Sequence, residues 1–156
     1  MSDAATFDDL RDLYQEVILD HGRRPRHGKR LVQFDAHAKG DNPMCGDRVE
    51  VFIRREGDRL AETGFEARGC AISIASADLM AETVAGKPAD AVRALFTRFR
   101  EMARTGKCPD CDSDEAMQRL QPFAGVSEYP SRVKCATLPW HALIAALDGE
   151  GQASSE

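Results

Sequence analysis

The 156-residue sequence predicts an α+β fold: a small antiparallel sheet of about three strands packed against several helices. Three observations predict it. Residues 48–55 alternate, with Val49, Val51 and Ile53 on one side, which is the period of a half-buried strand. Glu56-Gly57-Asp58 then has the chemistry of a hairpin turn, and residues 60–67 return as a second strand. From Cys70 onward the apolar period is helical, so strands come early and helices late.

Each element has its own justification. From Thr6 the residues Phe7, Leu10, Leu13/Tyr14 and Val17/Ile18 recur at helical spacing, and Thr6 with Asp9 resembles a capping pair. His21-Gly22 closes that helix, with Pro25 just beyond. The basic run Arg23 to Arg30 reads either as a solvated loop or as a docking surface for an acidic partner. Residues 33–37 supply a third strand. The small-residue stretch 71–80 is helix-forming and runs to Gly86-Lys87-Pro88, and residues 89–103 repeat the spacing through Val92, Leu95/Phe96 and Phe99. Residues 105–113 are a loop, 114–120 a short helix, 125–130 another loop, and 132–147 the last helix. Pro139 must sit in its first turn or kink it. Residues 1–148 form a single domain, followed by a flexible polar tail over 149–156.

Composition narrows the function. Apolar residues make up 42% and charged residues 30%, ordinary values for a globular chain that buries its own core. A net charge of −5 argues against general affinity for nucleic acid or anionic membranes. No stretch is long and apolar enough to span a bilayer, and the acidic opening Met1 to Asp9 is no secretory signal, so the expected compartment is the cytoplasm. Five cysteines cannot all pair, which favours metal ligands, nucleophiles or buried small hydrophobes over a disulfide framework.

Three distant segments each carry one cysteine beside residues that suit a metal: Asn42-Pro43-Met44-Cys45-Gly46-Asp47, Arg68-Gly69-Cys70-Ala71-Ile72-Ser73 and Ser131-Arg132-Val133-Lys134-Cys135-Ala136. On an extended segment Cys45 and Asp47 point the same way, and Gly46 permits a tight path between them. Cys70 stands at a strand-to-helix junction, where helix-terminal N–H groups favour a thiolate; Cys135, near the start of the last helix, could gain the same help. Spacing alone leaves two readings open, a shared metal site and separate buried thiols. Cys108-Pro109-Asp110-Cys111 has no second pair to complete a zinc ribbon. It reads as exposed incidental thiols, a reversible disulfide, or auxiliary metal or sulfur handling. His21, His27, His37 and His141 show no ligand spacing and read as surface or structural.

Asn-Pro-Met-Cys45-Gly-Asp47, Gly69-Cys70-Ala-Ile-Ser-Ile-Ala-Ser76 and Arg132-Val-Lys134-Cys135-Ala-Thr-Leu-Pro-Trp140 resemble the three signatures of the SufU/IscU (NifU N-terminal-like) superfamily of iron–sulfur assembly proteins. Leu13 to His21 and Pro25-Arg26-His27-Gly28 resemble the family's opening, and the likeness runs from about Leu10 to Leu147. The SufU branch is the closer match. Extra sequence lies between the second and third site cysteines, Lys134 stands where IscU scaffolds have a histidine, and their Leu-Pro-Pro-Val-Lys chaperone motif is absent. The resemblance implies an IscU/SufU-like fold and a zinc-dependent sulfur acceptor working in iron–sulfur cluster assembly. The partners it implies are a pyridoxal-phosphate cysteine desulfurase of SufS type and a downstream iron–sulfur scaffold. The implied zinc ligands are Cys45, Asp47, Cys70 and Cys135, with Cys45 as sulfur acceptor and Arg132 as a cation beside the site. The alternative is a scaffold assembling a [2Fe–2S] cluster on the same ligands. Three thiolates and a carboxylate around Zn²⁺ leave about −2, an excess that Arg132 and Lys134 would offset.

Overall fold

The computed structural model describes the backbone of residues 7–43 and 46–154, and side chains over 14–43 and 46–153. Met44 and Cys45 lie outside the described residues.

The first helix, α1, spans Phe7–Arg23. It is followed by β1 (Ala36–Asn42), β2 (Asp47–Glu56) and β3 (Arg59–Arg68), which pair antiparallel in sequence. The expected hairpin forms, two residues longer than the alternation alone marked. β1 differs: it starts at Ala36, where the sequence suggested a strand ending at His37. The reason is steric. Its inward positions are Ala38, Gly40 and Asn42, small groups that show no apolar alternation. A Cβ on Gly40 would stand 3.1 Å from Leu138 and 3.5 Å from Ala142, so small residues here let the last helix lie close on the strand.

Helices α2 (Ala71–Val84) and α3 (Ala89–Thr105) follow the predicted periods, and Gly106 ends α3 in the left-handed conformation at φ +77°. Asp114 caps α4 (Glu115–Leu120) by accepting from the backbone N–H groups of Ala116 and Met117. Residues 121–128, the last four of which read as loop, form a 3₁₀ segment with Pro122 in its first turn. The last helix, α5, spans Pro130–Leu147, opens on a proline and carries Pro139 well inside rather than in its first turn. Pro139 is buried and has no N–H to give the carbonyl of Cys135 four residues earlier.

The polar stretch expected to be a flexible tail contributes a short strand, β4 (Gln152–Ser154), which pairs parallel with the outer edge of β1. The sheet order is therefore β3-β2-β1-β4, a mixed sheet of four strands. Its core joins Val51, Ile53 and Phe65 of the sheet to Met80 of α2 and to Trp140 of α5, whose ring stacks on Phe99 at 4.7 Å. Among the described residues no helix is long and apolar enough to cross a membrane.

Two polar ties hold the helices that carry the cysteines. The Ser76 hydroxyl of α2 donates to the carbonyl of Ala136 on α5 at 2.5 Å, fully buried. Asp78, also fully buried, accepts from the backbone N–H of His27 at 2.8 Å and contacts His21 Nδ1 at 2.5 Å. A buried carboxylate without such partners would cost several kcal/mol, on the order seen when a buried charge loses its pair. The His21 side chain and the His27 backbone thus serve structure. His21 docks α1 against α2, where a Cβ on Gly22 would meet that of Ala71 at 2.9 Å.

Candidate metal centre

The end of β1, the start of β2, the β3–α2 junction and the second turn of α5 meet at one end of the sheet. One carboxylate oxygen of Asp47 and the sulfurs of Cys70 and Cys135 lie within 4.8 Å of one another. Three of the four residues expected to share a metal are therefore gathered in one place. Cys45, the fourth, lies outside the described residues. Asn42 pairs with Asp47 across the β1–β2 connection, and Gly46 N–H donates back to the Asn42 carbonyl at 2.9 Å with φ +71°.

Asp47 is 1% exposed, an unusual place for a carboxylate, and the backbone explains it. Its Oδ1 accepts from the Cys70 N–H at 2.9 Å, and its Oδ2 stands 3.7 Å from the Cys70 sulfur. Gly69 makes this approach possible. It sits at φ +148°, and a Cβ there would be 2.1 Å from Asp47 Oδ1. Gly69 was legible in the sequence only as a strand-to-helix punctuation mark; its closeness to Asp47 depends on the register that sets Arg48 opposite Arg68.

Cys70 is the N-cap of α2. Its thiol is lowered from the usual 9.0 to about 7, chiefly because the Cys135 thiol donates to its sulfur, with help from the Ser73 and Ile72 N–H groups of the first turn; burial and the Asp47 charge oppose this. The expected helix-terminal support is present at Cys70. It is absent at Cys135, which is the sixth residue of α5 and too far inside for the terminal N–H groups to reach it. The Cys135 thiol is instead held protonated, first by its hydrogen bond to Cys70, then by burial and by Asp47. The pair thus shares one proton in the metal-free state.

Three donors of this kind suit a tetrahedral ion. With Zn–S near 2.3 Å and Zn–O near 2.0 Å, neighbouring sulfur and oxygen ligands stand about 3.5 Å apart, close to the 3.7 Å between Cys70 and Asp47.

Arg132 is exposed on the first turn of α5, with its guanidinium over the Tyr129 ring at 5.5 Å. Lys134 faces a groove between α5 and α3. Cys108 and Cys111 form a disulfide, and Cys111 is 1% exposed, so the pair is not two exposed thiols. The sequence held that disulfide as one of three readings.

Residues 13–136 match the family profile described as NifU-like N-terminal domain. The chain is 36% identical over 134 residues to the zinc-dependent sulfurtransferase SufU of Bacillus subtilis, covering 86% of this chain and 88% of that protein. It is 34% identical over 138 residues to the iron–sulfur cluster assembly scaffold protein IscU of Streptococcus pyogenes, covering 88% and 84%. Among solved structures, a candidate SUF-system scaffold from Fervidobacterium islandicum superposes with a TM-score of 0.78 at 29% identity, covering 88% of this chain and 98% of the other.

Proposed function

The chain belongs to the NifU-like N-terminal domain family that includes SufU and IscU, and from that premise we propose that it is a zinc-dependent sulfur acceptor that takes persulfide sulfur from a cysteine desulfurase for iron–sulfur cluster assembly. The observation that carries this reading is the meeting of Asp47, Cys70 and Cys135 within 4.8 Å.

The ligands of the ion would be Cys45, Asp47, Cys70 and Cys135. Two residues of chain span no more than about 7 Å, so Cys45 is tethered close to Asp47. When bound, zinc would keep the thiols deprotonated at neutral pH without redox chemistry of its own. The remaining work belongs to the chain. Asp47 is locked by the Cys70 N–H and supplies the hard donor. Cys70 and Cys135 supply soft ones from two helices tied by Ser76.

Cys45 is the acceptor in this reading. Its thiolate attacks the outer sulfur of the donor's cysteine persulfide; a new sulfur–sulfur bond forms as the old one breaks. Cys45 leaves as the persulfide and the donor's cysteine as a thiolate, with no net oxidation. Arg132, exposed with its guanidinium over the Tyr129 ring, would meet the negative charge of the arriving persulfide. The pyridoxal phosphate that generates the persulfide belongs to the partner, and a separate scaffold would receive the sulfur.

Mass analysis after turnover with a desulfurase and cysteine tests this: the protein should gain one sulfur atom, mapped to Cys45, and purify with one tightly held zinc. Full stimulation of the desulfurase by Cys45→Ser would sink the assignment. The similarity to named scaffolds supports a second reading, assembly of a [2Fe–2S] cluster on these ligands. Lys134, at the position of the scaffolds' histidine, favours the first. A stable cluster after anaerobic reconstitution, passed on to an apo-acceptor, would reverse that order.

A further inference from the structure

A groove of about 320 Å³ opens between the C-terminal half of α3 and the N-terminal part of α5. Arg100 and Arg104, one turn apart, form one wall; Pro130, Val133, Lys134 and His141 lie along the other. The whole chain carries −5, yet basic side chains from two helices converge here. Arg104 has Glu101 at 3.7 Å, both well exposed, which is a weak, screened pairing. Among the described residues no carboxylate pairs with Arg100 or Lys134. His141, half-buried with its ring edge-on to Phe96 at 5.1 Å, is held below the ordinary imidazole range by burial and by the charge of Arg100. The groove is thus a wall of cations over a partly apolar floor, with a neutral imidazole at its far end.

We propose that this groove receives an extended acidic segment of a partner protein, with carboxylates at alternate residues seated on Arg100 and Arg104 and a further one on Lys134. The dimensions select that shape. Four residues of helix rise about 6 Å, which separates Arg100 from Arg104 along α3. Alternate side chains of an extended peptide are about 6.6 Å apart and point the same way. The α5 wall from Pro130 to His141 rises about 16 Å, the length of five extended residues. A single oxyanion touches only one or two of these cations, whereas an alternating peptide meets all three and lays its intervening apolar side chains on Pro130 and Val133. The inference stands on the charge and shape of the groove and not on the sulfur-relay reading, which zinc content and persulfide formation test separately.

A synthetic pentapeptide with aspartate at its first, third and fifth positions and valine between them is the probe. Added to the full chain at low ionic strength, it should produce saturable NMR shifts along α3 and α5 and raise the pKa of His141 as its carboxylates offset Arg100. Arg100→Glu with Arg104→Glu should weaken binding at least tenfold, and Arg100→Lys with Arg104→Lys should retain most of it; both pairs are exposed and keep good helix formers. Equal binding by the charge-reversed variant, or by a peptide with lysine in place of aspartate, would overturn the proposal. So would inorganic phosphate producing the same saturable shifts at the same concentration, since that would mark a simple anion site.

Discussion

Two regions of this molecule bring cysteines together, and they do so by opposite routes. Cys108 and Cys111 are three residues apart in one loop, and their sulfurs satisfy each other covalently. Two of the nearby carboxylates face a cation instead: Arg98 pairs with Asp114 and stands 3.8 Å from Asp110. Cys70 and Cys135 are 65 positions apart in the sequence, counted from their residue numbers, and converge through β3–α2 and α5 on a carboxylate buried by β2. There the sulfurs face Asp47 and share a proton instead of a bond. The difference teaches that sequence proximity marks a thiol pair suited to a local cross-link. Donor sets for a metal need a third and fourth group, of mixed hardness, that only separate elements can bring to tetrahedral separations.

The sharpest way to break this comparison is at Asp47. Asp47→Ala removes both the hard donor and the acceptor for the Cys70 N–H, so metal affinity should fall at least about 100-fold, read by competition with a chromogenic chelator. The free protein should lose about 1–3 kcal/mol for the lost hydrogen bond between the Cys70 N–H and the carboxylate, read by urea unfolding. Retained stoichiometric metal would separate Asp47 from the centre.

Next comes Gly69→Ala, which drives a Cβ to 2.1 Å from Asp47 Oδ1 at a φ that side chains avoid. A loss of about 2–4 kcal/mol is expected, with weakened metal retention. An unchanged urea midpoint would mean that the β2–β3 register yields freely.

Replacing both Cys108 and Cys111 by serine should cost less, about 1–2 kcal/mol for so short a closed loop, and lower Tm by a few degrees while leaving metal content intact. Loss of metal in that variant would merge two regions that the fold keeps apart.

The smallest effect is a pH dependence confined to the metal-free protein. Cys70 is lowered in the folded state, so its contribution to stability is present above the unfolded value near 9.0 and is lost as pH falls through about 7. Cys135 is raised, so its contribution is present below 9.0 and is lost at higher pH as the unfolded thiol ionises. Between about 7 and 9 the folded pair has released a proton that the unfolded chain still holds, and stability should rise with pH before turning over near 9. Iodoacetamide should label Cys70 with a midpoint near 7 and spare Cys135; equal labelling of both would exclude the shared proton.

Much of this was readable from the chain alone, and the exceptions share a cause. The β2–β3 hairpin and helix α3 follow from local periodicity, because burying one face imposes a repeat on consecutive side chains; α2, buried on nearly every side, follows from its small helix-forming residues. β1 hid behind Ala38, Gly40 and Asn42, whose burial reflects the closeness of α5 and not their own apolarity. β4 is Gln152-Ala153-Ser154, too short and too polar to show a strand period, and its strand character comes from the free edge of β1. Pro139 sits inside α5 because the surrounding packing overrides its cost, which a propensity scale cannot register.

At the site, the sequence by itself determined the chemical kinds of the donors and, through its motifs, the family to which the chain belongs. It also tethers Cys45 within about 7 Å of Asp47, the most that two residues of chain can span. Only the tertiary structure decided that Asp47, Cys70 and Cys135 share one neighbourhood, that Gly69 must lack a side chain, and that contact between the two thiols lowers Cys70 and raises Cys135. The physical reason is one of range. Covalent geometry and helical or strand periods act over a few residues, whereas burial, shared protons and converging charges arise between elements that nothing but packing brings together.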